Sequence, residues 1–296
     1  MRNLRLRLNT PSRVFVALGV ILVMVGLLVS AQAQYRSRRS GRFRGGYEGR
    51  DPRTQEQEMM QKAIDPAFSE DVFTFARLKF NEESGRGWGR TWDDDTPNAD
   101  LMLTFRLFQV TSLKVRPGLN FIDITTKDLA GYPFVYLSAA GQAVFTEDEA
   151  AALRAYLLNG GFLMADDFWG DDEWEHFVGQ VKLIFPNRAI EPMDLKHPIF
   201  HTVYDFKKQP QIPSVGDFFS SGRSYDIRHR YEQWNHDPHY YGIYDDKHRL
   251  MMLICHNNHY GDGWEHEGDD ESYFHIFSEQ MGYPMFINAL VYTMSH

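Results

Sequence analysis

Short apolar segments alternate with segments of helical periodicity between residues 72 and 185. Val72–Phe80, Asn120–Ile124, Pro133–Leu137 and Phe162–Ala165 have the length and composition of β-strands. A helix between two strands returns the chain to the start of the sheet, so consecutive strands run parallel. The pattern predicts an α/β fold: a three-layer, mostly parallel sheet with helices on both faces.

The helical segments carry recognisable boundary signals. A helix is expected from Asn98 to Ser112, and Thr146-x-x-Glu149 is a capping box that opens the next one. Asp172–Phe185 predicts a third helix. Later in the chain we expect a hairpin that closes the sheet and a last helix from Ser278 to Tyr292.

The hairpin prediction rests on two apolar runs, Tyr240–Tyr244 and Arg249–Cys255, separated by four polar residues. The stretch His256–Tyr273 is polar and acidic, which is typical of a loop. Within it His256, His259 and His266 alternate with acidic residues.

The N-terminus carries an export signal or a membrane anchor. A basic head precedes an apolar run of 16 residues, Val14–Val29, and Ala31 and Ala33 form an A-x-A pattern. Residues 1–33 are therefore interpreted as a signal peptide cleaved after Ala33, or as an uncleaved anchor. Either interpretation predicts an exported protein, periplasmic or anchored in the inner membrane and facing the periplasm.

Charge divides the chain into two parts. Residues 1–53 hold 11 arginines and two acidic residues, which leaves 20 basic and 38 acidic residues in the remainder. Residues 34–70 predict an Arg/Gly-rich flexible linker followed by a short helix, and residues 71–296 a folded domain. The acidic domain is expected to repel nucleic acid, whereas the basic N-terminus is expected to contact the membrane.

A series of short motifs from about Asp71 to Thr293 resembles the family designated DUF4159, a domain of unknown function. The motifs are Phe75-x-Arg77-Leu78-x-Phe80, Asn98-Ala99-Asp100, Tyr132-Pro133-Phe134-x-Tyr136-Leu137, Gly160-Gly161-Phe162-Leu163-x-x-Asp166-Asp167, His197-Pro198-Ile199-Phe200 and Cys255-His256-Asn257-Asn258 with Gly261-Asp262-x-Trp264-Glu265. The resemblance implies a class I glutamine amidotransferase-like, flavodoxin-like architecture. It also implies an exported or membrane-attached bacterial protein, and no established activity.

The nucleophile of the amidotransferases has no counterpart in the motifs of this chain. Those enzymes place a cysteine in a tight G-x-C-x-G turn, whereas the single cysteine, Cys255, lies in an apolar strand without flanking glycine. There is no G-x-S-x-G either, and Ser138 is not preceded by a glycine. A buried strand cysteine is therefore expected, because free cysteine is often fully buried.

Polar residues at the predicted carboxyl ends of the strands are the candidate binding residues, because ligands of open parallel sheets bind at that edge. They are Arg77, Asp166, Asp167, His256, Asn257, Asn258, Asp262 and Glu265. No cofactor is predicted other than a possible divalent metal ion, for which Asp166, Asp167 and His256 have the chemistry of ligands. A polar ligand such as a sugar is the other occupant that these side chains would suit. The alternative is structural: Asp167 caps the next helix and Asp166 pairs with Arg77.

Two main functions follow from these residues. The first is a catalytically degenerate amidotransferase-like domain that binds a polar ligand or an envelope protein. The alternative is a metal-dependent hydrolase acting on a polar, carbohydrate-like substrate through Asp166, Asp167, His256 and Glu265. A third hypothesis is an envelope assembly protein whose acidic domain meets a basic partner.

Overall fold

The computed structural model describes residues 52–69, 71–82, 90–225 and 236–296. The predicted signal peptide or anchor, residues 1–33, lies outside the described residues, as does most of the predicted linker. The helix expected after that linker runs from Pro52 to Lys62. Among the helices of the described ranges, none has the length and apolarity that crossing a bilayer requires.

Nine β-strands are found in the described part of the chain. They are β1 (Arg77–Lys79), β2 (Asn81–Glu82), β3 (Phe121–Asp123), β4 (Phe134–Leu137), β5 (Ala143–Val144), β6 (Phe162–Ala165), β7 (Glu191–Pro192), β8 (His239–Tyr244) and β9 (Leu250–His256). Seven of them form one sheet in the order β3-β1-β4-β6-β9-β8-β7, and β2 and β5 form a separate antiparallel pair. The first five strands of that order run parallel, and for β1, β3, β4 and β6 the alternating pattern predicted this.

Helices precede, separate and follow these strands along the described ranges. They are α1 (Pro52–Lys62), α2 (Asn98–Val110), α3 (Glu147–Leu158), α4 (Gly170–Ile184), α5 (Val215–Ser221), α6 (Tyr260–Glu265), α7 (Glu271–Tyr273) and α8 (Tyr283–Ser295), with a π-helix, Phe274–Gly282, between α7 and α8. Short 3-10 turns cover Pro66–Phe68, Lys127–Gly131, Ala140–Gln142 and Pro198–Phe200. The chain is therefore a mixed α/β protein with a mostly parallel sheet.

The central strands send alternate side chains into two separate apolar clusters, since successive strand residues point to opposite faces. Tyr136 and Met164 belong to one cluster, together with residues of α2 and α8. Leu137 and Ala165 belong to the other, together with residues of α3 and α4. The central strands β4 and β6 are buried along their whole length, which explains why their sequences are continuously apolar.

The boundary signals of α3 are confirmed. The Thr146 hydroxyl accepts a hydrogen bond from the backbone N–H of Glu149, and the Glu149 carboxylate accepts one from the N–H of Thr146. The hairpin is confirmed as well: β8 and β9 pair antiparallel, although the edge beyond them is formed by β7.

Two other expectations are wrong. The stretch expected to be a polar loop, His256–Tyr273, contains helix α6, whose Tyr260 and Trp264 are fully buried. The last helix begins as a π-helix at Phe274, and its α-helical part starts only at Tyr283 with Pro284 in the first turn. Helix α6 was missed because its aromatic residues lie within a mostly polar and charged segment, whose pattern is typical of a loop.

Candidate functional site

Three neighbouring strands end in the same way at the carboxyl edge of the sheet. Ala139 follows β4, Asp167 follows β6 and Asn257 follows β9, and each has a positive φ, at 48°, 55° and 58°. Residues other than glycine rarely adopt this left-handed conformation, so it must be maintained by surrounding contacts. The three turns lie at adjacent strand ends and fix the direction of the side chains that follow each strand.

Asp166 extends β6 on the face of the sheet that carries Tyr136. Its Oδ2 accepts hydrogen bonds from the Tyr136 hydroxyl at 2.8 Å and from the backbone N–H of Tyr260 at 2.6 Å. Its Oδ1 is buried and has no hydrogen-bond partner among the described residues. Burial raises the pKa of Asp166 to about 7, against the lowering effect of His259.

Asp167 belongs to a buried ion network with Arg90. The Arg90 guanidinium donates to the backbone carbonyl of Asp167 at 2.9 Å and to its Oδ1 at 2.8 Å. The same guanidinium pairs with Glu173 on α4, which also accepts hydrogen bonds from the Gln142 side chain and the Trp169 backbone. The network ties the β6 turn to the start of α4.

Arg77 forms a separate buried ion pair. Its Nε and Nη2 bind the carboxylate of Asp100 on α2, with Nη2 2.8 Å from Oδ2, and both side chains are fully buried. Nη1 donates to the backbone carbonyl of Asp94 at 2.9 Å. The structural alternative for the two aspartates is therefore wrong, because Arg77 pairs with Asp100 and α4 begins without a side-chain cap.

His256 points to the opposite face of the sheet from Asp166. It lies two residues after Ile254, in the cluster of α3 and α4, and its ring packs against Phe168 and Trp174 at centroid distances of 5.0 and 5.1 Å. Nε2 donates to the backbone carbonyl of Gly170 at 3.0 Å. Burial lowers the pKa of His256 to about 4, so the imidazole is neutral at neutral pH.

The structure therefore does not bring the proposed metal ligands Asp166, Asp167 and His256 together. In the described ranges, two groups of acidic and histidine side chains have ligand atoms within 4.8 Å of one another, and neither contains these residues. The groups are Asp95–His259–Asp262 and Asp262–Glu265–His266. His259 and His266, from the same alternation of histidines and acidic residues, lie with the acidic side chains instead of His256.

Asn257 and Asn258 hold loops rather than face open solvent. The Asn257 side chain accepts from the N–H of Gly170 at 3.0 Å and donates to the carbonyl of Asp237 at 2.9 Å. The Asn258 side chain accepts from the N–H of Ile212 at 3.0 Å. Both side chains are buried, so their amides serve to join β9 to neighbouring segments.

His259 is the centre of the charged cluster at this edge. Its Nε2 donates to Oδ2 of Asp95 at 3.0 Å. Its Nδ1 lies 3.6 Å from Oδ1 of Asp167 and 3.7 Å from Oδ2 of Asp262. Burial alone would lower the pKa of His259, but the three carboxylates outweigh it and raise that pKa well above the usual value.

Asp262 links His259 to a second histidine. Its Oδ1 lies 3.5 Å from Nε2 of His266, which is also 3.3 Å from Oε2 of Glu265. Burial would raise the pKa of Asp262, but the two imidazoles lower it to about 2. Burial would likewise lower the pKa of His266, yet hydrogen bonding to Asp262 and Glu265 raises it to about 11.

The sequence analysis missed Asp95 and Arg90. His259 and His266 belong to the alternation of histidines and acidic residues described above, but Asp95 and Arg90 lie more than 150 residues before it in the chain. They follow a glycine-rich segment with no helical or strand pattern. The two parts meet in space where Asp95 bonds to His259 and approaches Gly261, at which a Cβ would come within 2.0 Å of Oδ2.

Comparison with known proteins adds a family and no activity. Residues 74–294 match the model of a family described as domain of unknown function, DUF4159. A search of curated proteins gave no match. The match covers the whole sheet and every residue of the candidate site.

Proposed function

We propose that this chain, which belongs to the DUF4159 family, is a catalytically inactive amidotransferase-like domain that binds a polar ligand or a protein partner. The proposal includes a flavodoxin-like, three-layer arrangement. Support comes from the parallel order β3-β1-β4-β6-β9, which corresponds to the doubly wound order 2-1-3-4-5. The two apolar clusters on opposite sides of the central strands support it as well.

The turn after β4 carries this proposal. A nucleophile of this fold type sits in a sharp strand-to-helix turn, in a strained left-handed conformation. Here Ala139 has that conformation, with φ 48° and ψ 42°, and a 3-10 turn begins at the next residue. Its methyl group can neither attack a carbonyl nor exchange a proton. In this proposal the turn after β4 corresponds to the nucleophile turn and lacks the reactive atom.

Neither neighbouring candidate nucleophile is suited to replace it. Cys255 is fully buried within β9, and burial together with Asp166 raises its thiol pKa well above the usual range. A thiol attacks only as the thiolate, so this one is unreactive at neutral pH. Ser138 is also fully buried, and its hydroxyl has no hydrogen-bond partner in the described part of the chain that could act as a base.

The expected ligand is polar and either neutral or basic. Ligands of open parallel sheets bind where the strand order reverses, here beside the ends of β1 and β4. Asp94 lies near this point, and burial with its neighbours Asp167 and Asp95 raises its pKa to about 6. An acidic rim of this kind favours hydroxyl or cationic groups over phosphate or carboxylate.

The catalytic half of the proposal is tested by hydrolysis assays on the full-length purified chain. We expect no turnover of glutamine, simple amides or activated esters by wild type, and no difference between wild type and Cys255→Ala. Iodoacetamide should label Cys255 only when the protein is unfolded in urea. Hydrolysis that disappears in Cys255→Ala, or rapid labelling of the folded protein, would overturn it.

We further propose that the protein is exported and that its arginine-rich N-terminal segment contacts anionic lipid. The charge distribution supports this, because 11 of the 31 basic residues lie in residues 1–53. Deleting residues 34–53 should abolish binding to vesicles that contain anionic lipid, while vesicles of neutral lipid serve as the control. Unchanged binding after the deletion would contradict a role for the arginines.

A metal-dependent hydrolase is the second candidate. The observation that favours it is that acidic and histidine side chains meet around Asp262. A metal-bound water would then supply the nucleophile that the fold itself lacks. This candidate requires turnover that depends on added divalent ions and disappears with chelator; ion binding without turnover would leave the first proposal in place.

A further inference from the structure

We propose that the carboxyl edge of the sheet binds one first-row divalent cation between Nδ1 of His259 and the carboxylate of Asp262, with Asp95 holding the imidazole from its other side. The site uses residues of the β9 end, of α6 and of the segment before α2. It goes beyond the proposed binding function and does not depend on it, because such an ion can serve structure, ligand binding or catalysis.

The first support is an unused buried nitrogen. His259 is only 6% exposed, and Nδ1 has no hydrogen-bond partner within the described ranges. The two nearest acceptors, Oδ1 of Asp167 and Oδ2 of Asp262, lie 3.6 and 3.7 Å away, too far for a hydrogen bond. A buried polar atom without a hydrogen bond is unfavourable, so the gap favours a group that bonds to it.

The second support is the spacing of the group. Ligand atoms of Asp95, His259 and Asp262 all lie within 4.8 Å of one another. Two ligands bonded at about 2.0–2.2 Å to one ion are separated by roughly 3 to 4 Å, which includes the distance between Nδ1 and Asp262. The carboxylate of Asp262 would therefore need only a small rotation to reach an ion at Nδ1, while Asp95 stays at Nε2.

The third support is the position of Asp95. A metal-binding imidazole usually donates its other N–H to a carboxylate, which fixes the ring and its tautomer. Nε2 of His259 makes this bond with Asp95 at 3.0 Å. Gly261 is what permits it, because a Cβ at that position would lie 2.0 Å from the Asp95 oxygen. Asp95 is thus a positioning residue, and a cation that replaces the Nδ1 proton would meet a ring already fixed by this bond.

The chemistry of these donors indicates the class of ion. Imidazole nitrogen with carboxylate oxygen suits Zn²⁺ or Mn²⁺, whereas Mg²⁺ and Ca²⁺ prefer oxygen alone. Arg90 is committed to Asp167 and Glu173, so the groups that face Asp95 and Asp262 are the imidazoles of His259 and His266. A cation at Nδ1 would take the place of the proton there.

The test is equilibrium dialysis of the full chain, purified without a histidine tag and stripped with chelator, against Zn²⁺, Mn²⁺ and Mg²⁺. We expect one equivalent of Zn²⁺ or Mn²⁺ and weaker binding of Mg²⁺. Asp262→Asn and His259→Gln should weaken binding by about 100-fold or more, and Asp95→Asn by about 10–100-fold, the range for an orienting carboxylate.

Asp205→Asn is the matched control. Asp205 also pairs with a histidine, His201, but on an exposed surface, so its binding should equal that of wild type. Less than about a tenth of an equivalent bound by wild type would overturn the proposal, as would Asp262→Asn or His259→Gln binding like wild type.

A measurement on wild type tests the site even if the variants fail to fold. Co²⁺ bound at Nδ1 should give one strongly shifted, exchangeable imidazole N–H resonance, protected by Asp95. Bound Co²⁺ without such a resonance would contradict ligation by His259. Neither result touches the inactive-enzyme proposal, which depends on Ala139 and Cys255 and is decided by the hydrolysis assays.

Discussion

Two buried arginines pair with acidic residues at the carboxyl edge, each in a different place. Arg77 binds Asp100 in the first turn of α2, while Arg90 binds Asp167 and Glu173 at the start of α4. Burial opposes the charge of each guanidinium, yet the adjacent carboxylates keep the pKa of both above the ordinary value. Each arginine is therefore charged at any pH at which the protein folds.

Replacing Arg77 by methionine should destabilise the protein strongly. The change leaves the carboxylate of Asp100 buried without its cation, which costs about 3–5 kcal/mol for a buried pair. Urea unfolding at neutral pH measures the loss in the free energy of unfolding. Lys79→Met is the control, because its pair with Asp123 is partly exposed and worth about 0–1 kcal/mol. Equal losses for both variants would show that Arg77 contributes no more than a surface charge.

Asp166 should make the protein less stable as the pH rises. Its pKa is about 7 in the folded state and 3.8 when exposed, so between these values the folded protein holds a proton that the unfolded chain has released. Stability from this group is present below about pH 4 and lost through pH 7, by up to roughly 4 kcal/mol.

Asp166→Asn should remove this dependence, because asparagine cannot ionise and its oxygen can still accept from Tyr136 and Tyr260. The measurement is urea unfolding of both proteins at pH 5 and pH 8.5. The variant should be the more stable protein at pH 8.5 only. Parallel pH profiles would mean that Asp166 does not carry the buried proton.

The turn after β4 packs very closely against α4. A Cβ on Gly141 would lie 2.6 Å from Cβ of Glu173 and 2.9 Å from Cβ of Phe168, closer than side chains can approach. The backbone of the turn and the first residues of α4 therefore pack directly on each other. This contact holds Glu173 where Arg90 and Gln142 reach it.

Gly141→Ala should cost about 1–3 kcal/mol or more, the range for overpacking a filled core. Gly179→Ala is the matched control, since that glycine lies inside α4 with nothing within 4 Å of a Cβ and should gain up to about 1 kcal/mol. Thermal unfolding of both variants and of wild type measures these changes in stability. A neutral Gly141→Ala would mean that the turn and α4 can separate easily.

The helices and strands were largely predictable from the sequence, but the contacts between them were not. Local signals are enough for β6, whose four residues are continuously apolar, and for α3, whose cap is a short-range motif. Helix α6 was missed because its burial depends on partners far away in the chain. The contact of Asp95 with Gly261 joins segments separated by more than 160 residues, and no local pattern reports such a contact.

The candidate site follows the same division. The strand-end rule placed Asp166, Asp167 and the segment after β9 at one edge, because the carboxyl ends of parallel strands coincide. It could not say which face of the sheet His256 takes, since one residue of register decides it. His259, the residue immediately before α6, takes the central position instead.

At the scale of the whole molecule, charge is distributed very unevenly. Residues 54–296 contain 20 basic and 38 acidic residues, a net charge of −18 with neutral histidines. Like charges on one surface repel each other and oppose compact folding, and salt screens them within about 10 Å at 0.1 M.

The melting temperature should therefore rise by a few degrees between about 10 mM and 200 mM sodium chloride. Potassium chloride should have the same effect, because screening does not depend on the identity of the cation. Differential scanning calorimetry gives the comparison. A melting temperature that falls with salt would indicate that attractive surface pairs outweigh the net repulsion.

The three left-handed residues after β4, β6 and β9 limit which sequences this family can use. β-Branched side chains are strongly disfavoured in that conformation, so valine, isoleucine and threonine should be nearly absent at positions 139, 167 and 257 among functional variants. Diversity must then enter through the segments on either side. Substitutions in those flanking segments could change what the protein binds while the three turns keep their conformation.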